Sequence, residues 1–460
     1  MVITLRHLAK FFTVAAAFSV VIVMSSTFFP FIGGKYYFFR VMTEMGLVFL
    51  LLWWAFEAKA GELGERLRSV SRQPLFIAVS AFVLAYMLAT VFAYDSYGAF
   101  WSNYERGEGG FQMLHYYLFF VLLAVLFDRW ADWRTVFRAS IVAGVLMIAY
   151  GIVAAALVPG FIGPYSSDDP NAGNVLATIF SSSRFQGSLG NPAFVAPYLL
   201  FIMFYVAWLW LVEPKRRERH WTYGLLAAFF FVFFVLSQTR GAFLGLVAGT
   251  FVFLVVYAIM DRRRRRMIVG GIVTLLFVMV LANQLFGGKT GLESFPGMRL
   301  LTTSFSAQTA QSRLWTWHSA WLGFLERPLF GWGPENFSMA FDKYFDVRHF
   351  NPGTGGETWF DRAHSIVFDY LATTGIAGFG AFIAIFATFA YMLLRRIRRA
   401  LPVMLPSGAH SLTPAEAGLL AALPVAYLVQ ALVLFDVLPI YLNLFIFLAF
   451  ANFIFEPHRT

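Results

Sequence analysis

Twelve stretches of about 20 residues each, spread along the chain, contain few or no charged side chains. A transmembrane helix needs about 20 apolar residues to cross the hydrocarbon core of a bilayer. The composition agrees, because 59% of the 460 residues are hydrophobic and 13% are charged, against about 25% charged in soluble domains. The sequence therefore predicts an integral membrane protein. The predicted spans are residues 11–32, 36–56, 75–94, 110–127, 139–158, 192–212, 221–238, 242–260, 267–287, 363–394, 417–435 and 438–455.

The lysines and arginines are distributed unevenly between the connections. If the N-terminus lies inside, the segments on that side hold 23 of the 35 lysines and arginines. They include five consecutive arginines, Arg262 to Arg266. Cytoplasmic loops of membrane proteins carry an excess of such residues, so we place both termini in the cytoplasm. Residues 11–32 are then expected to be a retained first helix, because the run is too long for the core of a signal peptide.

The resulting organisation is an all-α integral membrane protein with about 12 transmembrane helices and one large extracytoplasmic loop. We expect helices one to nine in residues 1–287, the loop in residues 288–362, and helices ten to twelve in residues 363–460. Within the loop, apolar residues recur at the spacing of one helical face, which predicts an amphipathic helix with tryptophans at the membrane interface. These residues are Leu314, Trp317, Trp321 and Phe324.

Arg240 is the first candidate functional residue. It lies in the short connection between the predicted seventh and eighth helices, so its guanidinium cannot move far from the membrane boundary. A guanidinium is planar and always charged, and it can bind phosphate oxygens through two hydrogen bonds at once. From the residues alone, the alternative is an arginine that only marks the membrane interface.

The second candidate is the polar cluster at the start of the predicted tenth helix. Ionisable groups at such a place are energetically expensive and usually have a function. His364 can act as a general base because histidine titrates near neutral pH, although a structural hydrogen bond is the simpler alternative. We expect Asp361 or Asp369 to orient the ring, and Arg362 either to balance the local charge or to contact a phosphate.

Four motifs, taken in their order and spacing, carry a resemblance to a known family. They are SQTRGAFLG (237–245), SRLWTWHSAW (312–321), RPLFGWGPENF (327–337) and DRAHSIVFDYLATTGIAGFG (361–380). From about residue 95 to 385 the chain resembles the O-antigen ligase and polymerase superfamily of bacterial membrane glycosyltransferases. The resemblance implies a GT-C-like helical fold in the bacterial inner membrane, with the active site facing the periplasm. It also implies transfer of a glycan from undecaprenyl diphosphate to an acceptor hydroxyl, with no metal and no cofactor.

The resemblance also assigns roles by position. Arg240 and Arg313 match the arginines that bind the diphosphate and stabilise its charge, and His364 matches the histidine that acts as the base. Members often read His-Asn where this chain has His364 followed by Ser365, which weakens the role of the pair. We further expect Trp332 and Trp359 to contact substrate, because aromatic faces in the loop suit sugar rings. Arg362 and Asp361 are also expected to contact substrate.

Alternative functions remain open at the level of the sequence. A ligase, a polymerase and a protein O-oligosaccharyltransferase share this chemistry and differ in acceptor, which is lipid A core, a growing glycan or a protein hydroxyl. A small-anion transporter, for example for bicarbonate, is more remote. Transporters place ionisable groups near the bilayer midplane, whereas here they cluster at the predicted outer face. We expect membrane lipids but no nucleic acid among the partners.

The predicted topology can be tested with single cysteines, because the chain contains none of its own. In intact cells, an impermeant thiol reagent should label a Gly355→Cys variant in the large loop but not an Arg264→Cys variant in the five-arginine run. Lysed cells should give labelling of both, and the cysteine-free parent is the blank. Labelling of Arg264→Cys alone in intact cells would invert the whole arrangement.

Overall fold

The computed structural model describes residues 4–27, 29–103, 107–157, 184–214, 217–286, 308–350, 358–405 and 408–456. Within these residues the chain is almost entirely α-helical. The α-helices are α1 Leu5–Ala15, α2 Gly33–Phe56, α3 Glu62–Ser71, α4 Pro74–Val91, α5 Ser96–Trp101, α6 Gly110–Leu126, α7 Trp130–Leu157, α8 Pro192–Val212, α9 Arg217–Leu236, α10 Arg240–Met260, α11 Arg265–Phe286, α12 Gln308–Glu326, α13 Phe337–Lys343, α14 Ile366–Arg399, α15 Pro414–Ala431 and α16 Leu438–Phe455. A short antiparallel hairpin, β1 Pro402–Leu405 and β2 Gly408–Ser411, connects α14 to α15.

Nine helices in the described part of the chain are long and apolar enough to cross a membrane: α2, α4, α8, α9, α10, α14, α15, α16 and residues 130–154 of α7. The shorter apolar helix α6 and helix α11 coincide with two further predicted runs. The prediction of a multi-pass, all-α membrane protein is therefore confirmed. The count of twelve spans and the division into residues 1–287, 288–362 and 363–460 stay predictions.

The first predicted span differs from expectation. Instead of one helix over residues 11–32, α1 ends at Ala15 and continues as a 3₁₀ helix, Ala16–Val21, after which the chain is extended at Ile22. A run of β-branched residues at 20–23, whose side chains are restricted in a helix, lies where the helical structure ends. The carbonyl groups at this end find other partners. The Ser188 hydroxyl donates to the Val20 carbonyl at 2.6 Å, and the Lys35 ammonium donates to the Ile22 carbonyl.

Helix α16 is the centre of the bundle. All 18 of its residues are buried, and apart from Asn443 and Asn452 its sequence is apolar or aromatic on every side. A helix of this kind is stable only when other helices surround it. Aromatic side chains make much of the contact, since Phe450 packs against Trp133, Phe137 and Trp208 at ring-centroid distances of 4.8 to 5.3 Å. The neighbours α4, α6 and α8 are held against this core.

Polar contacts join the segments between helices in two groups, one at each predicted face of the membrane. At the predicted cytoplasmic end, ion pairs join Arg6 to Asp128, Lys10 to Asp132 and Arg66 to Glu456 at 2.7 to 3.0 Å. At the other end, segments 94–102 and 332–336 bind each other, because the Asn336 side-chain amide donates to the Asp95 carbonyl at 3.0 Å. The functional candidates Arg240, Arg313 and His364 belong to elements of this second end.

Helices α10 and α15 are in unusually close contact along a line of glycines. A Cβ atom added to Gly245 would lie 2.4 Å from the Ala426 carbonyl oxygen, and one added to Gly249 would lie 2.8 Å from the Ala422 carbonyl oxygen. Small residues at four-residue spacing allow helix backbones to approach in this way. The contact fixes the first residue of α10, Arg240, relative to the outer end of α15.

This contact predicts that Gly245→Ala destabilises the protein, because the added methyl group meets a backbone atom that cannot move without shifting a helix. Overpacking of this kind costs roughly 1–3 kcal/mol. Thermal denaturation in detergent should show a lower midpoint. Gly271→Ala in α11 is the matched control, since nothing lies within 4 Å of the added atom, and alanine raises helix propensity. Equal midpoints for the two variants would contradict the close packing.

Candidate active site

A break in α14 determines how the preceding loop meets the membrane helices. Gly375 has φ 63° and ψ −165°, so α14 consists of residues 366–374 followed by residues 376–399. The predicted tenth span, residues 363–394, is therefore not one continuous helix. The physical reason is local. Only glycine adopts this conformation at low cost, and a Cβ at Gly375 would lie 2.4 Å from the Leu329 carbonyl.

Residues 328–333 lie in this break and bind its exposed main-chain groups. The amides of Trp332 and Gly333 donate to the carbonyls of Ala372 and Thr373, both at 2.8 Å. On the other side of the break, the amides of residues 376 and 377 donate to the carbonyls of residues 328 and 329 at 2.8 and 3.2 Å. Buried main-chain groups without partners are strongly unfavourable, so loop and broken helix satisfy each other.

Arg362 lies between two carboxylates in a buried triad. One guanidinium nitrogen binds Glu335, and another binds Asp369 Oδ2 at 3.0 Å. The three side chains are 9%, 4% and 3% exposed for Arg362, Glu335 and Asp369, respectively. Asp369 also accepts the Ala363 amide at 3.1 Å. In this arrangement Arg362 balances the charge of two carboxylates, which is one of the two roles expected for it. Contact with a phosphate remains a prediction.

His364 follows this triad and precedes the first residue of α14. Its φ of 52° is in the left-handed region, which is uncommon for residues other than glycine and is found at functional sites. The ring packs edge-on against Phe360 and Phe435, at centroid distances of 5.5 and 5.2 Å. Nδ1 lies 3.1 Å from the Arg362 carbonyl oxygen. A neutral ring that donates from Nδ1 has its lone pair on Nε2, as a general base requires.

Asp361 or Asp369 is expected to orient this ring, and this role stays a prediction. Asp369 binds the Arg362 side chain and the Ala363 amide, so it fixes the backbone before His364, and the ring itself contacts the Arg362 carbonyl. Asp361 is half-buried beside this turn.

Arg240 is the first residue of α10 and is half-buried. The turn before it is held by Arg184, whose guanidinium donates to the Ser237 carbonyl at 3.1 Å and to the Thr239 hydroxyl at 3.0 Å. The Thr239 hydroxyl in turn donates to the Pro192 carbonyl at 3.0 Å. Two guanidinium groups therefore lie close to the N-terminus of a long helix, where the helix dipole also favours an anion.

Arg313 belongs to α12, which lies against the chain at His364. The indole of Trp317 donates to the Ala363 carbonyl at 2.9 Å and stacks on Phe368 at 5.1 Å. Arg313 is four residues earlier and therefore on the same face of α12. The predicted apolar stripe is divided between two environments. Trp317 packs inward, whereas Leu314 and Trp321 are exposed (55% and 43%).

The connection between α15 and α16, residues 432–437, joins the two halves of this region. Its Phe435 ring contacts His364 on one side and Phe194 of α8 on the other, at 5.2 and 5.9 Å. Its Val433 packs against Gly241, the neighbour of Arg240, since a Cβ there would lie 2.5 Å from Val433 Cγ2. The elements that carry Arg240 and His364 thus meet on one short segment.

A small cavity with a mostly apolar lining lies beside the triad. Lys35, Glu108 and Arg362 contribute to its lining, and its volume of about 30 Å³ is enough for one or two water molecules. Within the described residues, Arg362 Nε has no hydrogen-bond partner. Burial raises the pKa of the Glu108 carboxyl to about 8 and that of the nearby Asp436 carboxyl to about 7. Protons on these groups reduce the negative charge around the site at neutral pH.

The two tryptophans expected to bind sugar lie in different surroundings. Trp359 is 52% exposed, and its indole donates to Asp342 at 2.9 Å, so part of the ring is accessible from solvent. Trp332 is 3% exposed, donates to the Gly323 carbonyl, and lies under the Arg327 guanidinium. In this structure Trp332 is a packing residue of the inserted loop, which argues against a platform role.

The sequence did not reveal several residues that build the site. Nothing in the sequence around Glu335 indicates a partner, yet its carboxylate binds Arg362 and accepts from the Ser102 hydroxyl at 2.8 Å. Arg184 and Phe435 were given no role. Their partners are distant in sequence, so no local spacing indicates them. For Arg184 the one signal is its positive charge on the predicted outer side, where lysines and arginines are fewer.

Three loop carboxylates whose roles the sequence does not indicate, Asp168, Asp169 and Glu357, lie outside the described residues. In the described ranges, no group of three or more His, Asp or Glu side chains is arranged as a ligand set for a metal ion. Independence from metal remains a prediction.

Comparison with known families identifies the region that contains this site. Residues 225–383 match the family model described as O-antigen ligase. The matched range includes Arg240, Arg313 and His364, together with the inserted loop and the break in α14. No curated protein matches the chain significantly. The chain is a multi-pass membrane protein, and this match confirms that it resembles the O-antigen ligase and polymerase superfamily.

Proposed function

We propose that the protein transfers a glycan from undecaprenyl diphosphate to an acceptor hydroxyl at the periplasmic face of the bacterial inner membrane, as an O-antigen ligase does. The family match supports a membrane glycosyltransferase of the ligase or polymerase type, acting on a lipid-linked glycan and an acceptor. The observation that carries the proposal is the meeting of the Arg240 and His364 elements on residues 432–437. In the proposal, Arg240 binds the diphosphate and His364 accepts the proton of the acceptor in the same reaction.

In this proposal the arginines act on the leaving group. As the bond between the anomeric carbon and the diphosphate oxygen breaks, negative charge increases on the diphosphate. Arg240 and Arg313 would bind those oxygens, and fixed cations in a site that excludes water stabilise developing charge most effectively. The adjacent guanidinium of Arg184 orders the turn that presents Arg240.

His364 would activate the acceptor. The hydroxyl oxygen attacks the anomeric carbon from the face opposite the diphosphate, its proton passes to Nε2 of the neutral ring, and undecaprenyl diphosphate leaves. Direct displacement inverts the configuration at that carbon. The Arg362 carbonyl at Nδ1 supports this assignment, because it favours the tautomer with a lone pair on Nε2. The same steps serve a polymerase or a protein O-oligosaccharyltransferase with another acceptor.

Arg240→Lys tests the diphosphate contact. Lysine keeps the charge but lacks the two-pronged geometry, so we expect it to lower transfer about as strongly as Arg240→Ala does, by about a hundred- to thousandfold. The assay uses purified protein and undecaprenyl diphosphate-linked glycan, and it measures the glycosylated acceptor. Arg264→Lys, in the basic run beyond the other end of α10, is the control and should match the parent. Parental activity of Arg240→Lys would exclude a bidentate role.

His364→Asn tests the base without disturbing the turn. Asparagine tolerates the left-handed backbone but cannot take up a proton near neutral pH. Transfer should fall about a hundred- to ten-thousandfold, while donor binding persists because the arginines remain. The parent should also lose activity at acid pH, where imidazole is protonated, and EDTA should change neither result.

The control for this experiment is His318→Asn, because His318 is an exposed histidine of α12 with no proposed role. It should transfer at the parental rate. If His364→Asn also transferred at that rate, His364 would have a structural role only.

A further inference from the structure

A second, smaller core lies where the large loop packs against α14, and a histidine is buried beside it. This loop core consists of Ala320, Phe337, Phe341, Phe360, Ala363 and Ala372. His349, at the end of a short 3₁₀ helix, is 5% exposed. Within the described residues, neither of its ring nitrogens has a hydrogen-bond partner. A neutral imidazole has one donor and one acceptor, and burying them unpaired is unfavourable, so this is a costly position for a residue that only packs.

Four aromatic rings surround the His349 ring at centroid distances of 5.2 to 5.9 Å: Trp315, Phe341, Phe345 and Phe360. They come from α12, α13, the turn after α13 and the chain before α14. Phe360 also packs edge-on against His364 at 5.5 Å. The Phe360 ring is therefore shared by His349 and the proposed base, and a shift of His349 alters the packing of both.

The charges around His349 do little to hold a proton on its ring. Asp346 and Arg348 of the same turn act on it with opposite sign, and they bind each other, since Arg348 Nε donates to Asp346 Oδ1 at 2.9 Å. The charged residues of the neighbouring elements are placed elsewhere: Asp342 binds the Trp359 indole, Lys343 binds Glu326, Arg362 lies in the triad, Asp361 is half-buried beside it, and Arg313 is on a different side of α12 from Trp315.

Burial lowers the pKa of the His349 imidazole below its ordinary value of 6.5, and this effect exceeds the opposite effect of Asp346. The packed loop thus holds the ring neutral. Its packing contributes full stability above the ordinary pKa and loses that contribution as the pH falls below it, because the released ring takes up a proton more easily than the packed one.

We infer that His349 is a pH-sensitive switch: protonation releases its ring from the aromatic rings around it, Phe360 loses that support, and His364 loses its position for transfer. The switch rests on the proposed function and adds regulation of the same site. Because the loop is predicted to lie outside the cytoplasm, it would respond to the pH on that side. Transfer then falls more steeply in acid than protonation of His364 alone requires.

The first test replaces the titrating ring with one that suits aromatic surroundings. His349→Phe cannot take up a proton, and His318→Phe, at an exposed histidine of α12, is the matched control. Transfer by the full chain is measured from pH 5.5 to 7.5 with undecaprenyl diphosphate-linked glycan. At pH 5.5 a released imidazole is about 90% protonated, so the parent and the control should retain about three- to tenfold less of their pH 7.5 transfer than His349→Phe does. Equal pH profiles for the parent and His349→Phe would overturn the switch.

The second measurement needs no transfer and no change at His349. Single cysteines are placed in the cysteine-free chain as Ala320→Cys, at a position 1% exposed in the loop core, and as His318→Cys, exposed on the same helix. Release of the core should raise the thiol reactivity of Ala320→Cys relative to His318→Cys by about three- to tenfold between pH 7.5 and 5.5. A constant ratio would contradict the switch. A rising ratio in a protein that transfers glycan at no pH would instead contradict the proposed function.

Discussion

Arg362, held between Glu335 and Asp369, is the interaction on which the rest of the candidate site depends. It joins the inserted loop to the first turn of α14, at the place where the chain enters that helix. Breaking a buried ion pair by removing one partner costs roughly 3–5 kcal/mol, because the other charge is left uncompensated. The triad, together with the Ala363 amide that donates to Asp369, therefore holds the backbone next to residue 364.

The electrostatics of the region divide into two parts. Near the triad, cation and carboxylates neutralise one another, and protons on Glu108 and Asp436 remove further negative charge at neutral pH. At the start of α10, Arg184 and Arg240 lie at a helix N-terminus, where an anion is favoured. An anionic substrate would therefore be attracted to the α10 side and less strongly repelled from the histidine side.

Much of the fold could be predicted from the sequence, because a bilayer requires long apolar runs and unequal loop charges that are visible residue by residue. The break at Gly375 could not, since its cause is the insertion of a loop more than 40 residues away. For the same reason Glu335 was missed, as its partner is 27 residues further along. Arg240, Arg313 and His364 were noticed through residue type and resemblance, but the segment that joins their elements, residues 432–437, carries no motif.

The contacts between residues 328–333 and the broken helix have a consequence for how such proteins can diverge. All four hydrogen bonds connect main-chain groups, so most of them survive almost any change of side chain. A lineage could therefore replace the outward-facing residues of the loop to suit a new sugar or acceptor, while the loop stays anchored in register with the membrane helices. The glycines of the joint are closed to substitution, because Gly375 in the helix and Gly331 and Gly333 in the loop have a positive φ and no room for a Cβ. Around this fixed backbone joint, the diversity of acceptors would be free to accumulate.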